Sequence, residues 1–483
     1  MTVYEQFLRL LDFSDEELPT QLPLWEKACL LLGLSEEDVR FAAEDWIPNY
    51  WDLSLRGVRK CIGAYFRELI EMTRLPEYKA GGAKILYCNM PSHPACIYAN
   101  KVSGGNEIHI SHPDFLIASV LNAFFHKTNI SDEADEHSCM NPMCYHCGMN
   151  RLKADAQCQG IIVSPDVMWN WGLFCNEAPK TEELIQGMGR DDWHYVLTML
   201  PHDVPMGVHE ASDESRIAYL AAQLRDGQKR VSELTGIPVT DEHIKLASQE
   251  YIRYVSKLEE LSELVLTSDP QPISGNDLAL FGAMTHSAFD TGFGYINEAI
   301  EVTLEEVRKR VAAGKGPLPA GAPRLACHFH PYCVPWVNKA FMENGVNLTI
   351  SILFAPASVL KRFSDREDIY QSIAQQWLSN PSAVNMADEA NMVAEMLENC
   401  RVDGVLYGFF AFDRWMGPLQ KTMIKIVEEK TGIPHFYLEG DFWNDSRYSL
   451  ENRIDQIQSI AHKLKIHHMV SGWNYVKKPG ITK

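Results

Sequence analysis

The stretch RLACHFHPYCVPWVNKAFMENGVNLTISILFAP (324–356) decides the fold, because it places an amphipathic segment between two short apolar ones. RLACHF and NLTISILFAP predict buried strands, and VPWVNKAFMENG predicts a helix that ends at its glycine. Alternation of this kind is typical of a parallel, doubly wound sheet. It continues toward the C-terminus with strands at GVLYGFF (404–410) and IPHFYLEGD (433–441), and helices at NMVAEMLENC (391–400), PLQKTMIKIVEEKTG (418–432) and NRIDQIQSIAHKLK (452–465).

A second alternating region lies earlier in the chain, so we predict two doubly wound parallel-sheet domains of the Rossmann or flavodoxin-like type. Residues 1–80 predict a helical N-terminal segment, 81–210 the first α/β domain with a Cys-rich loop, 211–320 a helical segment, and 321–483 the second α/β domain. In the first domain strands are predicted at KILYCNMP (84–91), EIHIS (107–111), GIIVSPD (160–166) and HYVLTMLPHDVP (194–205), with a helix at HPACIYANKVSGG (93–105).

Composition excludes several classes of function. The chain has 483 residues, a net charge of -20 and a pI of about 5.3, which argues against a nucleic-acid partner because counterion release needs a cationic face. The sequence shows neither a secretory leader nor an apolar run of about 20 residues, so we expect a cytoplasmic protein without a membrane span. In a reducing compartment, clustered cysteines are more often metal ligands or redox groups than crosslinks.

The densest cysteine cluster lies between His137 and Lys180, and its members are Cys139, Cys144, Cys147, Cys158 and Cys175. The first four follow a C-x4-C-x2-C-x10-C pattern, which a loop wrapped around one ion accommodates. Three interpretations stay open: a structural zinc site, an iron–sulfur site, and buried thiols without a ligand.

Polar residues also follow the predicted strands. His328, His330 and Cys333 in HFHPYC fit a metal site or proton donors, since imidazole titrates near neutral pH, and equally fit an ordinary loop. Ser274 and Asn276 in PISGND fit either a substrate contact or a turn before a helix. Asp441, Asp445 and Arg447 fit a carboxylate–guanidinium contact that fixes the last domain. The chain contains neither a phosphate-cradling P-loop nor G-x-G-x-x-G, which argues against ATP hydrolysis by this chain itself.

The order of several motifs resembles the subunits of the ATP-activated 2-hydroxyacyl-CoA dehydratases and the related benzoyl-CoA reductases. The resemblance covers roughly residues 81 to 470. Its clearest pieces are HCGMNRLKADA (146–156), LPHDVP (200–205), PISGNDLALF (272–281), NGVNLTISILFAPA (344–357), VDGVLYGFF (402–410) and GIPHFYLEGDFWNDSRYSLENRI (432–454).

This resemblance implies a [4Fe-4S] cluster between the two α/β domains, held by cysteines from three loops. Cys147 falls where the family has its first ligand, and Cys175 corresponds to the second, although the alignment also allows Met168 there. The third cysteine is replaced in the loop AFDRWMG, where Asp413 lies nearby. Three explanations stay open: Asp413 acts as ligand, other cysteines of the cluster complete the site, or this subunit holds no cluster.

The expected activity is that of one subunit of an oxygen-sensitive complex that eliminates water from a 2-hydroxyacyl-CoA through a ketyl radical. The resemblance implies a homologous second subunit and a separate ATP-hydrolysing activator protein. His328, His330 and Asp413 are the candidate catalytic residues, and Ser274 and Asn276 the candidates for contact with the acyl-CoA. Alternatives are a subunit of an aromatic acyl-CoA reductase and a cluster-free or zinc-stabilised scaffold subunit.

Overall fold

The architecture is described by a computed structural model covering residues 1–89, 91–130, 132, 147–172, 177–187, 193–201, 214–352, 366–379, 386–409, 416–446 and 448–471. The chain begins with helices that bury aromatic side chains against one another; Phe7 stacks on Trp25 with ring centroids 5.5 Å apart. These helices are α1 (Val3–Leu10), α2 (Leu18–Leu31), α3 (Glu36–Phe41), α4 (Ile47–Tyr50), α5 (Arg56–Thr73) and α6 (Leu75–Ala80), with a π-helical turn at Ala42–Trp46 before α4.

The first sheet is all-parallel, with strand order β2-β1-β3-β4. Its strands are β1 (Lys84–Cys88), β2 (Ile108–Ser111), β3 (Val167–Gly172) and β4 (His194–Met199). β1, β2 and β3 are almost fully buried, as expected for parallel strands covered on both faces. Between them lie α7 (Pro94–Gly104), α8 (Pro113–Ile117), a π-helical turn at Ala118–Asn122, α9 (Ala123–Phe125), α10 (Gly148–Cys158) and α11 (Glu177–Gly187).

A helical segment follows and connects the two sheets. Its helices are α12 (Glu214–Thr235), α13 (Asp241–Thr267), α14 (Gly275–Ala283) and α15 (Gly294–Ala312). α15 packs closely against α5 from the N-terminal segment, where Gly57 lies against Thr303. The two helical regions therefore share one core, although the sequence separates them.

The second sheet repeats the topology of the first, with order β6-β5-β7-β8 and parallel pairing throughout. Its strands are β5 (Arg324–Cys327), β6 (Asn347–Ser351), β7 (Gly404–Tyr407) and β8 (His435–Tyr437). Its helices are α16 (Trp336–Glu343), α17 (Ile369–Leu378), α18 (Met386–Asn399), α19 (Met416–Thr431) and α20 (Leu450–Ser471). The prediction of two doubly wound parallel sheets is confirmed.

One local prediction was wrong. Residues 160–166 are not a strand but the connection that leads into β3. Gly160 ends α10 with φ +73, and Pro165 removes a backbone donor, so pairing with β1 begins only at Val167. The segment 148–158, for which a loop around one ion was one of the open interpretations, forms the helix α10.

One helix of the second α/β unit packs on the first. α17 follows β6 in sequence, yet Trp377 lies 5.9 Å from the ring of Trp171 on β3. Arg225 on α12 forms a salt bridge of 2.8 Å with Asp368, which caps α17. The two α/β units are therefore joined by α17 as well as by their loops.

No helix in the described part of the chain is long and apolar enough to cross a membrane.

Candidate functional site

The carboxyl ends of the inner strands define one ligand edge in each sheet. In the order β2-β1-β3-β4 the connections diverge between β1 and β3, and in the second sheet between β5 and β7. Ligands of doubly wound sheets bind at this divergence, outside the strand ends. Asn89 follows β1 and exchanges two hydrogen bonds with the backbone of Trp171, at 3.1 and 2.7 Å. His328 follows β5 and donates its backbone N–H to Leu406 on β7 at 3.0 Å.

Cys147 lies between the two α/β units. It is the residue before α10, is 8% exposed, and belongs to the same apolar cluster as Trp443 of the second unit. A Cβ on the next residue, Gly148, would lie 3.2 Å from Asp441 Oδ2 and 3.3 Å from Trp443 Cβ. The free N–H groups of a helix N-terminus stabilise a thiolate. The position and chemistry of Cys147 therefore fit a thiolate metal ligand close to the second unit.

The other predicted metal ligands are not brought to Cys147 by the described structure. Cys158 is exposed at the opposite end of α10, and a helix of that length separates its ends by about 16 Å at about 1.5 Å per residue. One ion cannot bridge these two thiols. Cys139, Cys144 and Cys175 lie outside the described residues, as does Asp413, so their roles stay predictions.

The loop after β8 holds the two units together. Asp445 accepts hydrogen bonds from Trp336 Nε1 at 2.6 Å and from His126 Nε2 at 3.3 Å. Burial opposes ionisation of Asp445, but the contacts with His126 and Trp336 outweigh it and lower its pKa. The expected partner Arg447 lies outside the described residues, and the structure shows Asp445 fixed by an indole and an imidazole instead.

The two candidate histidines have different surroundings. His330 is 2% exposed and burial lowers its pKa to about 3, so it is neutral near pH 7. It borders a cavity of about 20 Å³ that also includes Ser262 and Thr349, a volume that suits about one water molecule. His328 contacts polar side chains instead, with Gln420 Nε2 3.2 Å from its Nδ1.

Cys333 is buried beside Ser119 and Tyr332, whose hydroxyls lie 2.8 Å apart. Burial raises the pKa of the Cys333 thiol far above its usual range. A thiol in this state is a poor nucleophile near pH 7. Among the described residues, no group of three or more His, Cys, Asp and Glu side chains has the arrangement of a metal site.

Ser274 and Asn276 both have intramolecular partners. The Ser274 hydroxyl donates to Asp277 Oδ2 at 2.7 Å and accepts from the Asp277 N–H at 3.2 Å, which is a capping box. Asn276 donates to the carbonyls of Tyr50 and Pro335. These contacts support the turn interpretation, and a role in binding acyl-CoA stays a prediction.

A buried ionic group at the first sheet was missed from the sequence. Lys153 on α10 contacts Glu182 on α11, and both are at most 4% exposed. Burial lowers the pKa of Lys153, and the nearby Asp114 opposes that effect. The only available signal was a lysine within HCGMNRLKADA, and helical lysines are usually solvated. Glu389 and Gln420, which flank His328 in the second unit, carried no local signal at all.

Fold and site together define a class: a two-lobed α/β protein with a thiol at the lobe interface and a buried polar centre at each sheet edge. The sequence matches the family described as "2-hydroxyglutaryl-CoA dehydratase, D-component" over residues 145–457, and the chain belongs to this family. The family resemblance stated above is thereby confirmed.

Two curated relatives agree with this assignment. The chain is 22% identical to the (R)-phenyllactyl-CoA dehydratase alpha subunit of Clostridium sporogenes over 80% of its own length and 90% of the relative. It is 19% identical to the lactoyl-CoA dehydratase subunit alpha of Anaerotignum propionicum over 62% of its length and 69% of the relative.

Proposed function

We propose that this chain is the alpha-type subunit of an ATP-activated dehydratase that removes water from a 2-hydroxyacyl-CoA through a ketyl radical of the thioester. Membership of the dehydratase family supports the reaction class. The relatives are named as alpha subunits, which supports a homologous second subunit as partner. The activator, a separate ATP-hydrolysing protein, is part of the proposal because this chain lacks a P-loop.

The observation that carries the proposal is the place of Cys147. Cys147 is a buried thiol at a helix N-terminus, and its neighbour Gly148 lies against the loop Asp441–Asn444 of the other unit, a place that suits a soft metal in a site shielded from water. Cys147 and Cys175, with Cys139 or Cys144, would hold a [4Fe-4S] cluster. When bound, this group would supply a single low-potential electron.

The protein's own part in the reaction is to bind the thioester between the units, exclude water and handle one proton. The loop Asp441–Asp445 closes the site from the second unit through its contacts with Trp336, His126 and Asn122. The buried imidazole of His328, after β5, and the carboxylate of Glu389 beside it are candidate side chains for handling that proton. Water exclusion matters because it protects a radical from side reactions.

The decisive experiment is anaerobic purification followed by iron, sulfide and zinc analysis with electron paramagnetic resonance. About four irons per chain are expected, whereas zinc without sulfide would refute the cluster and support the zinc-stabilised scaffold. Cys147→Ala should lose iron and sulfide. Cys158→Ala, at the exposed end of the same helix, is the matched control and should keep both.

A second experiment addresses the reaction. The chain, its partner subunit, the activator, ATP and a reductant are tested on a panel of acyl-CoA esters. Formation of a 2-enoyl-CoA with loss of water is expected from 2-hydroxyacyl-CoA esters. Reduction of an aromatic acyl-CoA without loss of water would instead support the reductase, and inactivity of a cluster-loaded complex on every ester would refute both.

A further inference from the structure

The second sheet edge contains a series of polar contacts that begins on the backbone of the residue after β7 and ends on a carboxylate. Gly408 donates its N–H to Gln420 Oε1 at 3.2 Å, and Gln420 Nε2 lies 3.2 Å from His328 Nδ1. His328 Nε2 lies 3.6 Å from Glu389 Oε1. The four residues come from the turns directly after β5 and β7 and from the helices α18 and α19, so the contacts link two strand ends with two helices.

The direction of these contacts follows from the backbone donor. Gly408 offers an N–H, so the Gln420 oxygen must face it, because the opposite amide orientation would place two donors together. The Gln420 NH₂ group then donates to His328 Nδ1, which must be unprotonated to accept. The imidazole proton therefore lies on Nε2, the ring nitrogen that is 3.6 Å from Glu389 Oε1.

Gly408 itself is fixed. It has φ +121, and a Cβ there would lie 2.2 Å from the Leu438 carbonyl oxygen. Only glycine tolerates this conformation and this close approach. The Gly408 N–H, which orients the Gln420 amide, is therefore held in a fixed position where the end of β7 lies against the end of β8.

His328 and Glu389 differ in what remains available to a ligand. Both ring nitrogens of His328 face protein groups, and its side chain is 3% exposed. The Glu389 side chain keeps 7% exposure, and within the described residues its carboxylate accepts no hydrogen bond. At 3.6 Å the contact with His328 is longer than a hydrogen bond, and such contacts often tighten when substrate binds.

We propose that Glu389 is the carboxylate that accepts and returns a proton at this sheet edge, and that His328 and Gln420 are its positioning residues. The inference rests on the proposed dehydration and assigns its proton step. Glu389 takes the proton from the substrate carbon as the C–H bond breaks, and its carboxyl form returns that proton to the departing hydroxide, which leaves as water. The carboxylate is regenerated, so atoms and charge balance.

The positioning part is tested without activity. The full chain is labelled with ¹⁵N-histidine, and His328 is assigned by comparison with His328→Gln. Two-bond ¹⁵N–¹H correlation is expected to show the His328 proton on Nε2. In Gln420→Glu the new carboxylate accepts from both neighbours, so the proton should move to Nδ1. A wild-type proton on Nδ1, or no change in Gln420→Glu, would overturn the positioning.

The catalytic part is tested in the assembled, activated complex. Glu389→Gln should lower kcat by about 10²–10⁴-fold, the usual contribution of a general acid–base group, while KM changes less than about threefold. The matched control is Glu395→Gln, on the exposed face of the same helix, which should leave kcat unchanged. Normal turnover by Glu389→Gln would overturn the assignment. If the wild-type complex dehydrates no ester, the proposed function fails on its own, and the tautomer result still decides the positioning.

Discussion

The buried pair Lys153–Glu182 gives the sharpest test of how the first α/β unit is held together. Lys153 lies on α10, the helix that begins next to Cys147, and Glu182 lies on α11. Their side chains are 2% and 4% exposed, so neither charge is solvated by bulk water. Removing the lysine as Lys153→Met leaves a buried carboxylate without its cation.

The expected cost is large. Breaking a buried pair by removing one partner costs about 3–5 kcal/mol. A domain of about 150–250 residues loses about 2–4 °C per kcal/mol, so the first thermal transition should fall by about 10 °C.

The double variant Lys153→Met/Glu182→Met is the matched control, because replacing a whole buried pair by apolar side chains is often nearly neutral. It should recover most of the lost transition temperature, measured by calorimetry at pH 7. A double variant no more stable than Lys153→Met would show that the two charges are not coupled and refute the argument.

Three further predictions concern packing and pH. Gly57→Ala should lower the free energy of unfolding by about 1–3 kcal/mol, because the new Cβ would lie 2.1 Å from Thr303 Oγ1. Gly294→Ala is the control and should not destabilise the protein, because a Cβ there meets open space. Urea unfolding measures both variants. Burial lowers the pKa of His330 to about 3 in the folded protein, whereas the pKa in the unfolded chain is near 6.5. Below about pH 6.5 the unfolded chain therefore gains a proton that the folded protein does not, and the free energy of unfolding falls by about 1.4 kcal/mol per pH unit until about pH 3. The wild type should therefore lose stability below pH 6.5 more steeply than His330→Leu, and equal slopes would contradict this. Trp377→Ala should lower the free energy of unfolding by about 3–5 kcal/mol, because the packing on Trp171 is lost. Amide hydrogen exchange in α17 should become faster. Unchanged exchange would show that this packing is dispensable.

The predictions that succeeded were those that depend on local periodicity. Apolar runs such as those at Leu325 and Val405 lie in strands buried on both faces, and a buried parallel strand needs little more than an apolar run between helices. The prediction at 160–166 failed because apolar character alone does not distinguish a strand from the buried connection that precedes it.

The candidate site could be predicted only where a motif carried it. Cys147 was found because it lies in HCGMNRLKADA, and the structure places it between the two units. Cys158 was grouped with Cys147 because of their spacing in the sequence. The residues between them form a helix, which holds the two thiols apart, whereas a loop could have brought them together.

What the sequence by itself determined is the fold class and the family, since both depend on local patterns along the chain. Only the tertiary structure decided which residues meet at the sheet edges. Gln420 and Glu389 reach His328 from distant helices, and Glu182 reaches Lys153 from another. The physical reason is that a parallel sheet gathers the ends of strands far apart in sequence, and long-range contact leaves no periodic trace in one chain.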